Sequence, residues 1–301
     1  VNTPARVAAF TLGLTALFGA SVGVGAAVGP VDAEPAAGTH TGDEAHAGEE
    51  AHAGEEAHAE AAAAAVGGLT VSESGYTLDL LTDVLPAGPA ATLSFRVLGP
   101  DGTPVTAFDV EHEEDLHLVA VRRDLGGYQH VHPEPAADGT WTVPLDLTPG
   151  SWRVVADTTP SALGEGLTRG ADLAVPGEFA PQPLPPPAAV AEVDGYTVVL
   201  TGGLAAGAET ELTLSVSRDG VPVTDLQPYL GAYGHLVVLR AGDLAYVHVH
   251  PVEATPGAAP APGPHVPFAT TAPSAGTYRL YLDFRHGDVV RTAEFTVEVP
   301  A

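Results

Sequence analysis

The chain has no cysteine, no methionine and no lysine, and only 6% of its 301 residues are aromatic. Without cysteine there are no disulfides, no thiolate metal sites and no cysteine nucleophile. Oxidising compartments permit disulfides without requiring them, so this absence leaves export open. The lack of soft sulfur ligands disfavours copper(I), and lysine chemistry is excluded. The 11 basic residues, all arginine, face 38 aspartates and glutamates, for a formal net charge of −27. Such a surface repels phosphate backbones, so no nucleic-acid partner is expected, and anionic headgroups do not hold the folded part. With few aromatics, any core must rest mainly on valine and leucine.

What is present begins with an export pattern. Arg6 is followed by an uncharged run, Val7 to Val31, that ends in small residues around Ala26, Ala27 and Ala33. One basic residue, an apolar run and small residues describe a secretory signal over 1–33, cleaved after Ala27 or Ala33. The run is also about as long as the ~20 residues that a membrane span needs. An uncleaved anchor is therefore the second reading, and only this segment would then contact a membrane. On both readings the rest of the chain is secreted or extracytoplasmic. Residues 34–66 repeat a six-residue unit, Glu49-Glu50-Ala51-His52-Ala53-Gly54 and its neighbours, with His40, His46, His52 and His58 spread through it. Acidic, alanine-rich and poor in large apolar residues, this linker is expected to be disordered. It serves either as a solvated spacer or as a weak chelating tail.

The remainder is an internal repeat. Gly75-Tyr76-Thr77 returns as Gly195-Tyr196-Thr197, and Asp101-Gly102 with Pro104-Val105-Thr106 as Asp219-Gly220 with Pro222-Val223-Thr224. His117-Leu118-Val119 returns as His235-Leu236-Val237, and His130-Val131-His132-Pro133 as His248-Val249-His250-Pro251. Gly150-Ser151-Trp152-Arg153 returns as Gly276-Thr277-Tyr278-Arg279, with Asp157 and Asp283 following. The repeats occupy 67–177 and 190–301. Between them lies a proline-rich linker, 178–189, expected to be stiff and extended. Short β-branched runs between Gly, Pro and Asp turns predict strands at 91–98, 116–122, 139–145 and 151–156, and at 210–217, 234–239, 245–250, 276–284 and 289–299. The fold class expected is all-β: two tandem immunoglobulin-like β-sandwich domains.

Each repeat carries three histidines at intervals of thirteen and two: His117, His130 and His132, then His235, His248 and His250. Residues two apart on a strand share a face. A hairpin that sets residue 117 opposite 130 or 132 therefore gathers three imidazoles, whereas a register shifted by one separates them. Three converging imidazoles suit zinc or copper(II) and leave a coordination position open. His112, or the acidic residues Glu111 and Glu113 to Asp115, could supply a fourth ligand in the first repeat. The second would need His265 or His286. The competing reading is structural: hairpin histidines hydrogen-bond backbone or carboxylate groups and bind nothing. On that reading Tyr128 and Tyr246 are core tyrosines, and Pro133 and Pro251 end strands.

The run from Glu111 to Leu125 with Tyr128-Gln129-His130-Val131-His132-Pro133, and its partner from Gly234 to Pro251, resembles a repeat of secreted actinobacterial proteins. Those are grouped with heavy-metal-associated and YtkA-like β-sandwich domains. The resemblance implies export, a sandwich fold and metal handling in the cell envelope. Nothing assembles a nucleophile: the Gly-x-Ser-x-Gly match at 19–23 lies in the export segment, away from any strand–turn–helix context. No enzyme is expected. The functional expectation is an exported zinc- or copper(II)-binding protein whose partner is the divalent ion. The alternative is a non-catalytic surface module whose histidines only stabilise the fold.

Overall fold

Burial along the strands shows how the layers are stacked. In Thr140–Leu147 every second residue is buried and the residues between are exposed or partly so. That is the pattern of a sheet with one covered face. Leu116–Arg122 and Gly150–Pro160 are instead buried over nearly their whole lengths, as are His235–Arg240 and the centre of Gly276–His286. An antiparallel sheet buried on both faces must be covered twice. One cover is its own sandwich core, and the other is the opposite repeat.

The computed structural model describes residues 66–252 and 261–301. The export segment, the acidic repeat up to residue 65 and residues 253–260 lie outside the described residues. The described chain is all-β. The first repeat contains β1 (Ser72–Glu73), β2 (Tyr76–Leu80), β3 (Gly88–Leu98), β4 (Phe108–Asp109), β5 (Leu116–Arg122), β6 (Gln129–Val131), β7 (Glu134–Pro135), β8 (Thr140–Leu147), β9 (Gly150–Pro160) and β10 (Leu167–Val175). The second contains β11 (Val190–Val193), β12 (Tyr196–Gly202), β13 (Glu209–Arg218), β14 (Val221–Pro222), β15 (His235–Arg240), β16 (Tyr246–Val247), β17 (Val249–Pro251), β18 (His265–Thr271), β19 (Gly276–His286) and β20 (Val289–Val299).

Each repeat is a two-sheet sandwich. The first pairs β1-β2-β3-β8-β7 with β10-β9-β5-β6, and the second pairs β11-β12-β13-β18-β17 with β16-β15-β19-β20. Trp152, Phe95 and Trp141 anchor one core; Tyr196, Tyr278, Phe268 and Phe284 anchor the other. A third apolar cluster joins the repeats. Val119, Val121 and Val155 of β5 and β9 pack against Val237, Leu239 and Tyr281 of β15 and β19. Tyr128 stacks on Tyr281 at 3.9 Å between centroids, and the Tyr281 hydroxyl donates to the Leu125 carbonyl at 2.7 Å. The segment 178–189 forms no strand, and Leu184 packs into this same inter-repeat cluster.

The chain entering the first repeat also crosses the junction. Gly68 N–H donates to the Thr168 carbonyl at 3.1 Å, and Tyr246 N–H to the Gly67 carbonyl at 3.0 Å. This approach requires glycine at 170, where a Cβ would stand 2.0 Å from the Gly68 carbonyl oxygen.

One expected strand needs correction. Residues 245–250 do not form a continuous strand. β16 pairs with β15, but β17 has crossed to the other sheet, where His250 faces Ala269 of β18. His248 lies at the break, its carbonyl accepting from the Thr270 hydroxyl at 2.8 Å. In the first repeat the same crossover comes later, after β6, so His130 stays on the sheet that carries His117.

Candidate functional site

Hairpin geometry sets the first histidine of each repeat. Glu111 and Glu114 exchange two backbone hydrogen bonds at 2.9 and 3.0 Å around His112 and Glu113, both with positive φ (48° and 68°). Two left-handed central residues make a type I′ turn. The turn holds the Glu111 carbonyl where Nε2–H of His117 donates to it at 3.0 Å. The second repeat builds the same device from Leu230 and Gly231, with φ of 53° and 73°. There Nε2–H of His235 donates to the Tyr229 carbonyl at 2.7 Å.

The β5–β6 hairpin sets the next two histidines. Arg122 grips Asp124 through Nε and Nη2, both at 2.8 Å, and fixes the turn. Leu118 then faces Val131 and Val119 faces His130. Continuing that register places His117 opposite His132, the alignment that gathers the rings. Ring centroids are 5.4 Å apart for His117 and His130, and 5.0 Å for both His117–His132 and His130–His132. One nitrogen from each of the three lies within 4.8 Å of the others.

The outer nitrogens are held, and the inner ones face each other. His130 donates Nδ1–H to Asp283 Oδ2 at 3.0 Å. His117 has given its Nε2–H to the Glu111 carbonyl, so its Nδ1 carries a lone pair. That Nδ1 stands 3.2 Å from Nε2 of His130. When His130 carries its single proton on Nδ1, its Nε2 also presents a lone pair. Two lone pairs at this distance repel unless a cation lies between them, and a proton or a metal ion meets that need. At zinc–nitrogen distances of about 2.0–2.1 Å, tetrahedral geometry separates ligand nitrogens by about 3.4 Å. Nε2 of His132 is buried and has no hydrogen-bond partner among the described residues.

Asp283 belongs to the second repeat, so the cluster is shared. Its Oδ1 accepts from the Thr292 hydroxyl at 2.6 Å and its Oδ2 from the Tyr128 hydroxyl at 3.4 Å. A related pair lies on the other side, where Asp157 of the first repeat accepts from Thr168 at 2.7 Å and lines the same cavity as Tyr246 of the second. A cavity of about 670 Å³ between the sandwiches is lined by His117, His130 and His235 together with Asp157, Tyr246 and His248.

Among the described side chains, the triad brought together is that of the first repeat. His235 joins the first cluster, its ring 6.3 Å from His130 and 5.2 Å from the exposed His112. His248 faces the Asp157 side of the cavity. The backbone at His250 has left for the opposite sheet, and its side chain lies outside the described residues. Nor do His265 and His286 approach as fourth ligands. His265 Nδ1 pairs with the Ser215 hydroxyl at 2.8 Å, and His286 pairs with the Tyr196 hydroxyl at 2.7 Å and Asp225 at 3.2 Å. The Glu111 carboxylate is engaged by the Thr159 hydroxyl at 2.6 Å.

Burial lowers the pKa of three of these rings below the ordinary 6.5: His117 to about 4, His132 to about 3 and His235 to about 4. Bonds to the Glu111 and Tyr229 carbonyls partly oppose the shift at His117 and His235. Because the folded values lie below the unfolded one, protonation favours the unfolded chain. The stability these rings contribute is complete above about pH 6.5 and is lost as pH falls through about 4. Burial raises Asp157 above 3.8, so its contribution has the opposite sign, complete below 3.8 and lost as pH rises. The expected result with chelator present is an unfolding free energy that is flat from pH 8 to 6.5 and declines below it. A flat profile down to pH 4 would contradict the buried neutral rings.

Comparison with known proteins places the chain in a family. The profile of a domain of unknown function, DUF8832, matches at 70–162 and again at 191–301, more than half of the chain. The chain belongs to the DUF8832 family. The two matches fall on the two sandwiches, so DUF8832 here occurs in tandem. No curated protein matches significantly. Solved structures align weakly. The Escherichia coli adhesin FdeC shows 16% identity and a TM-score of 0.24, over 76% of this chain and 65% of that one. Invasin, a bacterial integrin-binding protein, shows 13% and 0.22 over 77% and 41%. Salmonella alpha-2-macroglobulin shows 17% and 0.27 over 79% and 15%. Likeness at these scores carries no functional weight.

Sequence reasoning missed Asp283. An aspartate recurring at one position inside an apolar strand of both repeats was the available signal, since a buried carboxylate requires a partner.

Proposed function

We propose that this DUF8832 tandem is a non-catalytic, extracytoplasmic binding protein for a divalent metal ion, zinc or copper(II), held by His117, His130 and His132. One observation carries the reading: Nδ1 of His117 and Nε2 of His130 face each other at 3.2 Å, with their outer nitrogens committed to a carbonyl and a carboxylate. Fixing the distal nitrogen while the proximal one stays free is how metal-binding histidines are oriented. Three nitrogen ligands leave a position open for water or a further donor. The export pattern at the N-terminus and the resemblance to heavy-metal-associated domains support the same reading.

A second reading rests on the buried His130–Asp283 pair and its Tyr128 neighbour. On that view the histidines join two sandwiches of a surface module and bind no ion. Titration of the full chain with zinc and with copper(II) separates the two. The metal reading expects one tight equivalent that disappears in His132→Ala, leaving only weaker uptake by the remaining histidines. Equal uptake by parent and variant would sink the metal reading. His132 is the informative position because its Nε2 makes no hydrogen bond that the substitution would remove.

A further inference from the structure

We infer that Asp283 is a positioning residue for the metal site, so that the second repeat completes a centre whose three ligands all come from the first. The inference rests on the metal reading above and adds the control exerted on that site across the repeat junction. Without a fixed partner, the His130 ring could present either nitrogen. Asp283 removes that freedom by accepting Nδ1–H at 3.0 Å, which turns Nε2 toward His117 and His132. The carboxylate is itself anchored: Thr292 holds its other oxygen, and its side chain is 4% exposed.

The other half shows what this control requires. Asp157 and Tyr246 line the cavity on one side of the junction, and Tyr128 donates to Asp283 on the other. Yet the second-repeat strand breaks at His248 and its continuation pairs with the opposite sheet. By linkage, metal bound at the triad strengthens the inter-repeat contact by the same factor that the contact strengthens metal binding.

The experiment compares zinc affinity in the full-length parent, Asp283→Asn, Tyr128→Phe and His132→Ala, in competition with a chromophoric chelator. Loss of the partner that orients a metal-bound histidine typically weakens affinity about 10–100-fold, which is the expectation for Asp283→Asn. Tyr128→Phe loosens the same inter-repeat contact without touching Nδ1 of His130, and should stay within about threefold of the parent. Asp283→Asn within threefold of the parent, or Tyr128→Phe falling as far as Asp283→Asn, overturns the positioning role and leaves the metal reading intact. A parent indistinguishable from His132→Ala overturns both.

A measurement on the parent alone guards against a variant that fails to fold. Nitrogen-15 shifts of the His130 ring should show Nδ1 protonated with and without zinc, and zinc on Nε2. Zinc on Nδ1 overturns the proposal.

Discussion

His130→Ala is expected to destabilise the metal-free chain by about 1–3 kcal/mol, the usual cost of leaving a buried acceptor without its hydrogen-bond donor. The side chains of His130 and Asp283 are only 6% and 4% exposed. Removing the imidazole leaves the Asp283 carboxylate with the Thr292 hydroxyl and a long 3.4 Å contact from Tyr128. His117→Ala and His132→Ala should cost much less, because neither ring touches a buried charge on the opposite repeat. Denaturant unfolding with chelator present measures the difference. A His130→Ala penalty no larger than that of His132→Ala would mean that Asp283 is not held as a buried carboxylate. The same logic makes His130 a poor position for testing metal binding, since its loss alters the fold and the site together.

Zinc at a hundredfold excess over its dissociation constant is expected to stabilise the parent by about 2.7 kcal/mol. For described sandwiches of this combined size, that corresponds to a melting shift of about 5–10 °C. In His132→Ala the shift should vanish while the metal-free melting temperature stays close to that of the parent. A site stabilised only by hydrogen bonds gives no zinc shift in the parent, and the parent and variant then melt alike with and without zinc. Equal zinc shifts in both proteins would place the ion elsewhere.

The fold was legible because its signals are local and duplicated. Short β-branched runs between turns marked 139–145, where the strand Thr140–Leu147 stands, and matched landmarks such as Gly75-Tyr76 and Gly195-Tyr196 divided the chain into two equivalent units. The first triad was legible as a condition on register, and the Arg122–Asp124 turn satisfies it. Two features were not readable. The early crossover at His248 depends on competition between two sheets for one segment, which no local pattern records. The partnership of His130 with Asp283 spans 153 residues and exists because the outer faces of β5–β9 and β15–β19 cover each other. The proline-rich linker was expected to be stiff and extended, while Leu118 to Val121 and Leu236 to Leu239, apolar on both strand faces, fit a sheet covered twice.

Anomalous diffraction from zinc-loaded crystals of the full chain tests the central claim most directly. The account predicts a zinc peak about 2.0–2.1 Å from Nδ1 of His117, Nε2 of His130 and one ring nitrogen of His132, with Asp283 still accepting Nδ1–H of His130. Zinc-saturated crystals with no peak among these rings, and His117 and His130 still facing each other near 3.2 Å, would contradict it.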